Sequence, residues 1–241
     1  METTQSPKGQ LFLIPTMLGD TAPLEVLPIS IKQTIENIDF YIAENEKTAR
    51  RFVKRISPGK SQPSLHFNIL NKYTDPSELP TFLDPCMDGI SVGLLSEAGC
   101  PGIADPGADV VKLAHQKDIS VVPLVGPSSI ILAMMASGMN GQSFAFNGYL
   151  PIDSTERSKA IKKFERLSRE SQQSQAFIET PYRNEKLFEE FLKRLHPSTE
   201  ICVAVDITLE TQVIKTKTVT EWKKTTLDLQ KRPAVFIIHA R

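Results

Sequence analysis

Apolar residues in this chain fall into short blocks separated by polar stretches bearing proline and glycine. Blocks rich in Val, Ile, Leu and Phe read as strands: Leu11–Ile14, Phe40–Ala43, Leu65–Leu70, Ile90–Leu95, Ile119–Val125 and Phe144–Tyr149, then Gln175–Glu179, Ile201–Ile207 and Ala234–His239. Between them lie stretches of helical period. In Glu46–Ile56 the residues Ala49, Phe52, Val53 and Ile56 share one face. Ile31–Ile38, Ala108–Asp118, Ile130–Gly138, Ser154–Glu170, Tyr182–Leu195 and the short Glu221–Leu229 also read as helices. Val213–Val219 alternates apolar and polar positions, as a half-exposed antiparallel strand does. Thr16–Pro28 reads as a loop, and Pro80 and Pro85 leave Leu79–Met87 undecided.

Repeated strand–helix alternation implies a parallel sheet with right-handed crossovers. After Pro151 the character changes to a long charged helix and then strands with antiparallel patterning. The pattern predicts an α/β protein of two domains. Residues 1–149 would form a mostly parallel sheet flanked by helices, and residues 150–241 a mixed sheet with helices.

Composition narrows the possible partners. With 241 residues, 40% hydrophobic and 23% charged, the chain can bury a sizeable core. Lys and Arg balance Asp and Glu at net charge +0, which argues against a protein coated in positive charge but leaves room for a local basic face. Cys86, Cys100 and Cys202 are widely spaced, and no Cys or His spacing matches a metal site. That usage points to a reducing, cytoplasmic setting with no disulfide framework and no metal. The polar start METTQSPKGQ lacks a signal-peptide core, and no apolar run is long enough for a membrane span.

The chemistry concentrates in Ile90–Gly107, ISVGLLSEAGCPGIADPG. A buried strand runs into a loop holding Gly99, Gly102, Gly107, Pro101 and Pro106 together with the carboxylates Glu97 and Asp105, and a helix follows. In parallel α/β sheets ligands bind at the carboxyl ends of strands. The loop is not a GxGxxG fingerprint, and Ala108-Asp109 stands where a phosphate-binding loop needs Lys and Ser/Thr. What remains is a rigid backbone cradle, or a turn shaped by glycine and proline with Asp105 in an Asx-turn. A second loop of this kind, Val125-Gly126-Pro127-Ser128-Ser129, ends the next strand and favours a shared crevice.

SEAGCPGIADPG, VVPLVGPSSIILAMMASG, FAFNGYLPID and FIETPYR, in this order, resemble signature blocks of the tetrapyrrole-methylase superfamily, and most of all its ribosomal-RNA ribose 2′-O-methyltransferase branch. The resemblance implies two α/β domains with S-adenosylmethionine (SAM) in the cleft between them, usually in a homodimer. By position it assigns the donor to Pro15, Ser96, Glu97, Ala98, Gly99, Pro101, Gly102, Asp105, Pro127, Ser128 and Ser129, closed over by Pro151, Thr180, Pro181, Tyr182 and Arg183. The implied acceptor is a ribose 2′-hydroxyl of ribosomal RNA, in or from the small subunit. A tetrapyrrole or other small-molecule acceptor stays open, as does a SAM-binding protein that has lost catalysis.

Departures from the family pattern fall away from these blocks. A Glu-Asp-Thr-Arg block corresponds to Glu44-Asn45-Glu46-Lys47, a His-Glu-His-Asn block to Asn68-Ile69-Leu70-Asn71, and an Arg-Glu-Leu-Thr-Lys block to Val205-Asp206-Ile207-Thr208-Leu209. A hydroxyl acceptor needs its proton removed by a group within hydrogen-bond reach. Glu44, ending a strand at the same sheet edge as the donor loop, is the first candidate base, ahead of Glu97 and Glu179. Lys159, Lys162, Lys163 and Arg166 share a helical face, extended by Arg157 and Arg169. They form either a solvated face or a phosphate-contacting stripe. Trp222 is expected to pack at a helix end, Met134 and Met135 to be core or dimer-contact residues, and Cys100 to line the loop as a small residue.

Overall fold

The computed structural model describes residues 7–241, and the chain divides into two compact units between Pro127 and Ser128. In the first unit β1 (Leu11–Ile14) leads through the short α1 (Pro23–Val26) and α2 (Ile29–Asn37) to β2 (Phe40–Ala43). The helix α3 (Glu46–Ile56) and β3 (His66–Ile69) follow. A 3-10 turn at Leu79–Leu83 and the one-turn α4 (Asp84–Met87) precede β4 (Val92–Leu95), α5 (Ala108–Gln116) and β5 (Val121–Pro123). The five strands form one sheet in the order β3-β2-β4-β1-β5, and every pairing in it is parallel.

That order positions the site. From β1 and β2 the chain moves toward one edge of the sheet, and from β4 toward the other. With right-handed crossovers the connecting helices therefore lie on opposite faces. Ile31, Ile35, Phe52 and Val53 pack one face, and Phe82, Leu83, Val110 and Ala114 the other. The loops that leave the adjacent strands β1 and β4 diverge at their carboxyl ends, which is where a crevice opens in such sheets. β4 is buried along its whole length. A Cβ at Gly93 would stand 2.7 Å from Ile14 Cδ1 and 2.8 Å from Ile38 Cδ1, so only glycine lets the helix and strand side chains close over this strand.

The second unit holds α6 (Ser129–Ser137), β6 (Phe144–Phe146), α7 (Ser154–Ser171), β7 (Ser174–Ile178), α8 (Asn184–Arg194), β8 (Glu200–Val205), β9 (Val213–Thr218), the one-turn α9 (Val219–Trp222) and β10 (Ala234–His239). Its sheet order is β6-β7-β10-β8-β9, parallel between β6 and β7 and antiparallel elsewhere. Its core carries Phe177, Phe188, Phe191, Phe236 and Trp222. Trp222 is fully buried, and its indole donates to Ile201 O at 2.8 Å.

The expected α/β architecture with a parallel and a mixed sheet is present, but the division between units falls earlier than 149/150. β6 hydrogen-bonds to β7 and so joins the second sheet, and α6 packs on β10, β9 and β8. The change of composition after Pro151 marks the exposed helix α7, not a boundary. One loop reading and one helix reading also change. Thr16–Pro28 contains one helical turn, and Glu221–Leu229 gives way to a single turn ending at Trp222. Pieces this short lie below the length at which periodicity shows.

Candidate functional site

The loop after β4 folds back on the loop after β1. Thr16 and Gly99 pair as an isolated bridge, with Thr16 N donating to Gly99 O at 3.0 Å and Gly99 N to Thr16 O at 3.3 Å. Ser96 is buried between them. Its hydroxyl donates to Gly99 O, and the Thr16 hydroxyl donates to Ser96 O at 3.3 Å. Gly99 has φ +76°, and a Cβ there would meet Leu18 Cδ2 at 3.1 Å and Pro127 O at 3.3 Å. Gly126 is held tighter still, since its Cβ would lie 2.3 Å from Pro15 Cβ. The Cys100 thiol donates to Pro127 O at 3.5 Å, so it lines the loop as expected. Pro15, Ser96, Gly99 and Pro127, named separately from sequence, therefore form one cluster in the first unit.

Farther along the loop Gly102 has φ +77° with open space where a Cβ would be, and Ala104 also adopts positive φ. Gly107, at φ +135°, closes the loop onto Leu94, whose Cδ2 lies 2.7 Å from its ideal Cβ. At Gly99 and Gly107 the absent Cβ lets the main chain close against the Leu18 and Leu94 side chains. The glycines thus shape the loop's backbone, as both the cradle and the turn readings expect.

Three carboxylates meet at this edge. Glu44 follows β2, and Glu97 and Asp105 lie in the loop after β4. Burial, a side-chain hydrogen bond with Glu44 and the charges of Glu44 and Glu97 push the Asp105 carboxyl up to about 8. Glu97 accepts from the Thr48 hydroxyl at 2.6 Å, which ties the loop to the first turn of α3. Asn71 reaches the same corner, its Nδ2 donating to Glu44 O at 3.5 Å. Among the described residues no cluster of His, Cys, Asp or Glu is arranged to hold a metal ion.

Beside the trio lies a cleft of about 480 Å³ between the β1 loop, α3 and the β4 loop, lined among others by Thr16, Leu18, Thr48, Arg51, Arg55 and Ser96. Thr16, Thr48, Arg51 and Arg55 were not singled out from sequence. The excess of cations in Glu46–Ile56 was visible there as a signal.

The remaining sequence candidates lie in the second unit. Ser128 caps α6, its hydroxyl accepting from Ile131 N at 3.5 Å. Pro151 O accepts from Arg157 Nη1 at 3.2 Å, and Ile152 O from the same nitrogen at 2.7 Å. Arg157 is thereby buried and leaves the basic face it was assigned to. Glu179 accepts from Arg183 Nη2 and from Thr180 N, both at 2.7 Å, which fixes the Thr180–Arg183 turn ahead of α8. Tyr182 stands 81% exposed in that turn. Along α7, Lys159 pairs with Glu156 at 2.9 Å and Arg166 lies 3.9 Å from Glu170, while Lys162 and Lys163 are exposed.

No protein-family model matches the chain. In sequence it is 34% identical over 175 residues to the ribosomal RNA small subunit methyltransferase I of Streptococcus pyogenes serotype M6, covering 73% of this chain and 57% of that protein. The chain thus spans little more than half the length of these streptococcal relatives. A protein of the same name from Escherichia coli O157:H7 is 26% identical over 240 residues, 98% of this chain and 80% of that one. Among solved structures, the methyltransferase CobJ shares the fold with a TM-score of 0.64 at 14% identity, covering 96% of this chain and 94% of that one. The chain is thus similar in sequence to ribosomal RNA small subunit methyltransferase I and shares the fold of CobJ.

Its departures from the pattern that its signature blocks resemble now have a physical account. Asn45 replaces a family aspartate and caps α3, accepting from Lys47 N at 2.9 Å and Thr48 N at 3.3 Å. Asn and Asp serve this position about equally well, so the change removes a charge and keeps the cap. Val205 and Leu209 replace two cations, yet Arg232 reaches Asp206 from a later segment at 2.8 Å. The carboxylate in that block keeps a guanidinium partner.

Proposed function

We propose that the chain is a SAM-dependent methyltransferase acting on a ribose 2′-hydroxyl of small-subunit ribosomal RNA. The observation that carries this reading is the Ser96–Gly107 backbone cradle with the Glu44–Glu97–Asp105 trio at its rim. A positive-φ glycine with open space beside it lets main-chain groups approach a ligand closely, and the acidic groups at the rim suit a ligand with a cationic centre and hydroxyls, Asp105 through hydrogen bonding because its raised pKa keeps it largely protonated. The residues present therefore fit SAM, which supplies an electrophilic methyl on a sulfonium. Pro15, Ser96 to Gly99, Pro101, Gly102, Asp105 and Pro127 would hold it. Ser128, Ser129, Pro151 and Thr180 to Arg183 enter the reading through the resemblance alone.

The chain's own work is positioning and proton handling. Backbone packing fixes the cradle before any ligand arrives, and orientation of reacting groups supplies a large share of such catalysis. Glu44 is the proposed acceptor of the hydroxyl proton. Its carbonyl is steadied by Asn71, and its carboxylate is aligned by the hydrogen bond with Asp105. Lys162 and Lys163 on α7 are free for phosphate contact, and Lys159 and Arg166 add less because acids lie beside them. A homodimer is part of the proposal, supported by exposed Ile131 and Met135 on α6. A cytoplasmic location completes it.

Incubation with labelled SAM and small ribosomal subunits lacking the modification tests the activity. Label should appear in RNA at one ribose, and Glu44→Gln should lower the transfer rate by about 100-fold or more while SAM binding stays unchanged. Equal turnover in the variant would remove Glu44 from the base role. Labelling of a small metabolite and not RNA would favour the second acceptor class, which the net charge of +0 suits. SAM bound with transfer to neither would indicate lost catalysis.

A further inference from the structure

The helix α3 buries Ala49, Phe52, Val53 and Ile56 and turns the opposite face outward. That face carries Lys47, Arg51, Lys54 and Arg55, all exposed, at spacings of four, seven and eight residues. They form a single stripe along the helix. Arg50 lies off the stripe, bound by Glu46 at 2.7 Å and by Gln62 O at 2.6 Å. Arg55 is anchored by Asp20 at 2.7 Å and by Thr21 O at 2.8 Å, which fixes the β1 loop against the helix. Lys47, Arg51 and Lys54 have no acid partner among the described residues.

The stripe is more than a solvated face because of where it stands. Arg51 and Arg55 form one wall of the cleft, and Ser96, Glu97 and Ala98 of the proposed donor cradle form another. Asp20 in this cleft is taken up by Arg55, and Glu97 accepts from the neutral Thr48 hydroxyl, so Arg51 is the guanidinium of the cleft with no ion-pair partner among the described residues. Lys47, Arg51 and Arg55 rise by about 6 Å per step along the axis, comparable with the step between neighbouring phosphates on one nucleic-acid strand. The chain as a whole has no positive excess, so cations gathered on one helix beside the cradle are a local device.

We propose that the α3 stripe is the phosphate rail for the RNA acceptor. The backbone would run along Lys47, Arg51 and Lys54, and the target nucleotide would enter the cleft toward Ser96 and Glu44. This rests on the RNA reading above and adds the surface that sets the acceptor's register. Phosphate contacts position a nucleic acid without reading its bases, so the rail supplies affinity and register, not sequence choice.

The test is binding of a small-subunit ribosomal RNA transcript by the full chain over a range of salt. The comparison is between Lys47→Gln/Arg51→Gln/Lys54→Gln and Lys162→Gln/Lys163→Gln. Each lost phosphate contact lowers the slope of log affinity on log salt by about 0.7–0.9. The α3 variant should therefore flatten it by about 2 and weaken binding at least 10-fold at low salt, with SAM affinity and thermal midpoint unchanged. A wild-type slope in the α3 variant, with RNA still bound, overturns the rail and leaves the RNA reading standing. Loss of slope only in the α7 variant overturns it equally. A wild-type chain that binds free nucleotide but no RNA overturns both. If the triple variant is poorly folded, Arg51→Lys and Arg51→Gln serve instead, with the lysine variant expected to keep the slope that the glutamine variant loses in part.

Discussion

At Asp105, burial, the hydrogen bond with Glu44 and the charges of Glu44 and Glu97 all act in one direction, and the carboxyl titrates near pH 8 instead of its ordinary 3.8. The folded chain keeps a proton there that the unfolded chain releases near pH 4. Its stability therefore falls as pH rises from about 4 to 8. Asp105→Asn keeps a donor toward Glu44 and removes the titration. Relative to wild type it should gain about 1–2 kcal/mol between pH 5 and pH 8, after discounting for the site's partial exposure. Thermal unfolding of both proteins over that range checks this, and parallel pH profiles would refute it. The types and loop positions of these carboxylates were legible in the sequence. Their meeting was not, because Glu44 and Asp105 lie 61 positions apart and come together only through the pairing of β2 with β4.

At the level of elements, α3 does several jobs at once. Its apolar face joins the core, its first turn holds Glu97 through Thr48, and its outer face carries the stripe. Its start depends on the Asn45 cap. Asn45→Ala should lower stability by about 1 kcal/mol, read as a shift of the urea midpoint at constant slope, and Asn45→Asp should leave it nearly unchanged. The element itself was plain from periodicity, since Ala49, Phe52, Val53 and Ile56 repeat at helical spacing over about two turns. The helical turns at Pro23–Val26 and Val219–Trp222 were not, since four residues carry no measurable period. Trp222, taken from sequence to sit at a helix end, does so and is also the largest side chain of its core.

For the whole molecule, each unit has its own sheet and its own buried core. Among the described residues no helix is long and apolar enough to cross a membrane. Ile131 and Met135 lie one turn apart on α6 and stay exposed in the isolated chain, at odds with their apolar character. In the proposed homodimer they are covered. Sedimentation should then give twice the 26.8 kDa chain mass for wild type and the single-chain mass for Ile131→Glu/Met135→Glu. A monomeric wild type at micromolar concentration would remove the dimer from the proposal.

The sequence alone determined what depends on neighbours along the chain: the strands and long helices, the parallel character of the first sheet, and the cradle loop, whose glycines and prolines declare its backbone conformation. The tertiary structure decided what depends on residues distant in sequence. It moved α6 and β6 to the second sheet, since a strand's partner is fixed by pairing and not by composition. It brought Glu44 to Asp105 and Arg232 to Asp206, and it set the basic face of α3 against the cleft. Local patterning records whether a residue is buried or exposed, but only the folded chain fixes which residues from elsewhere stand beside it.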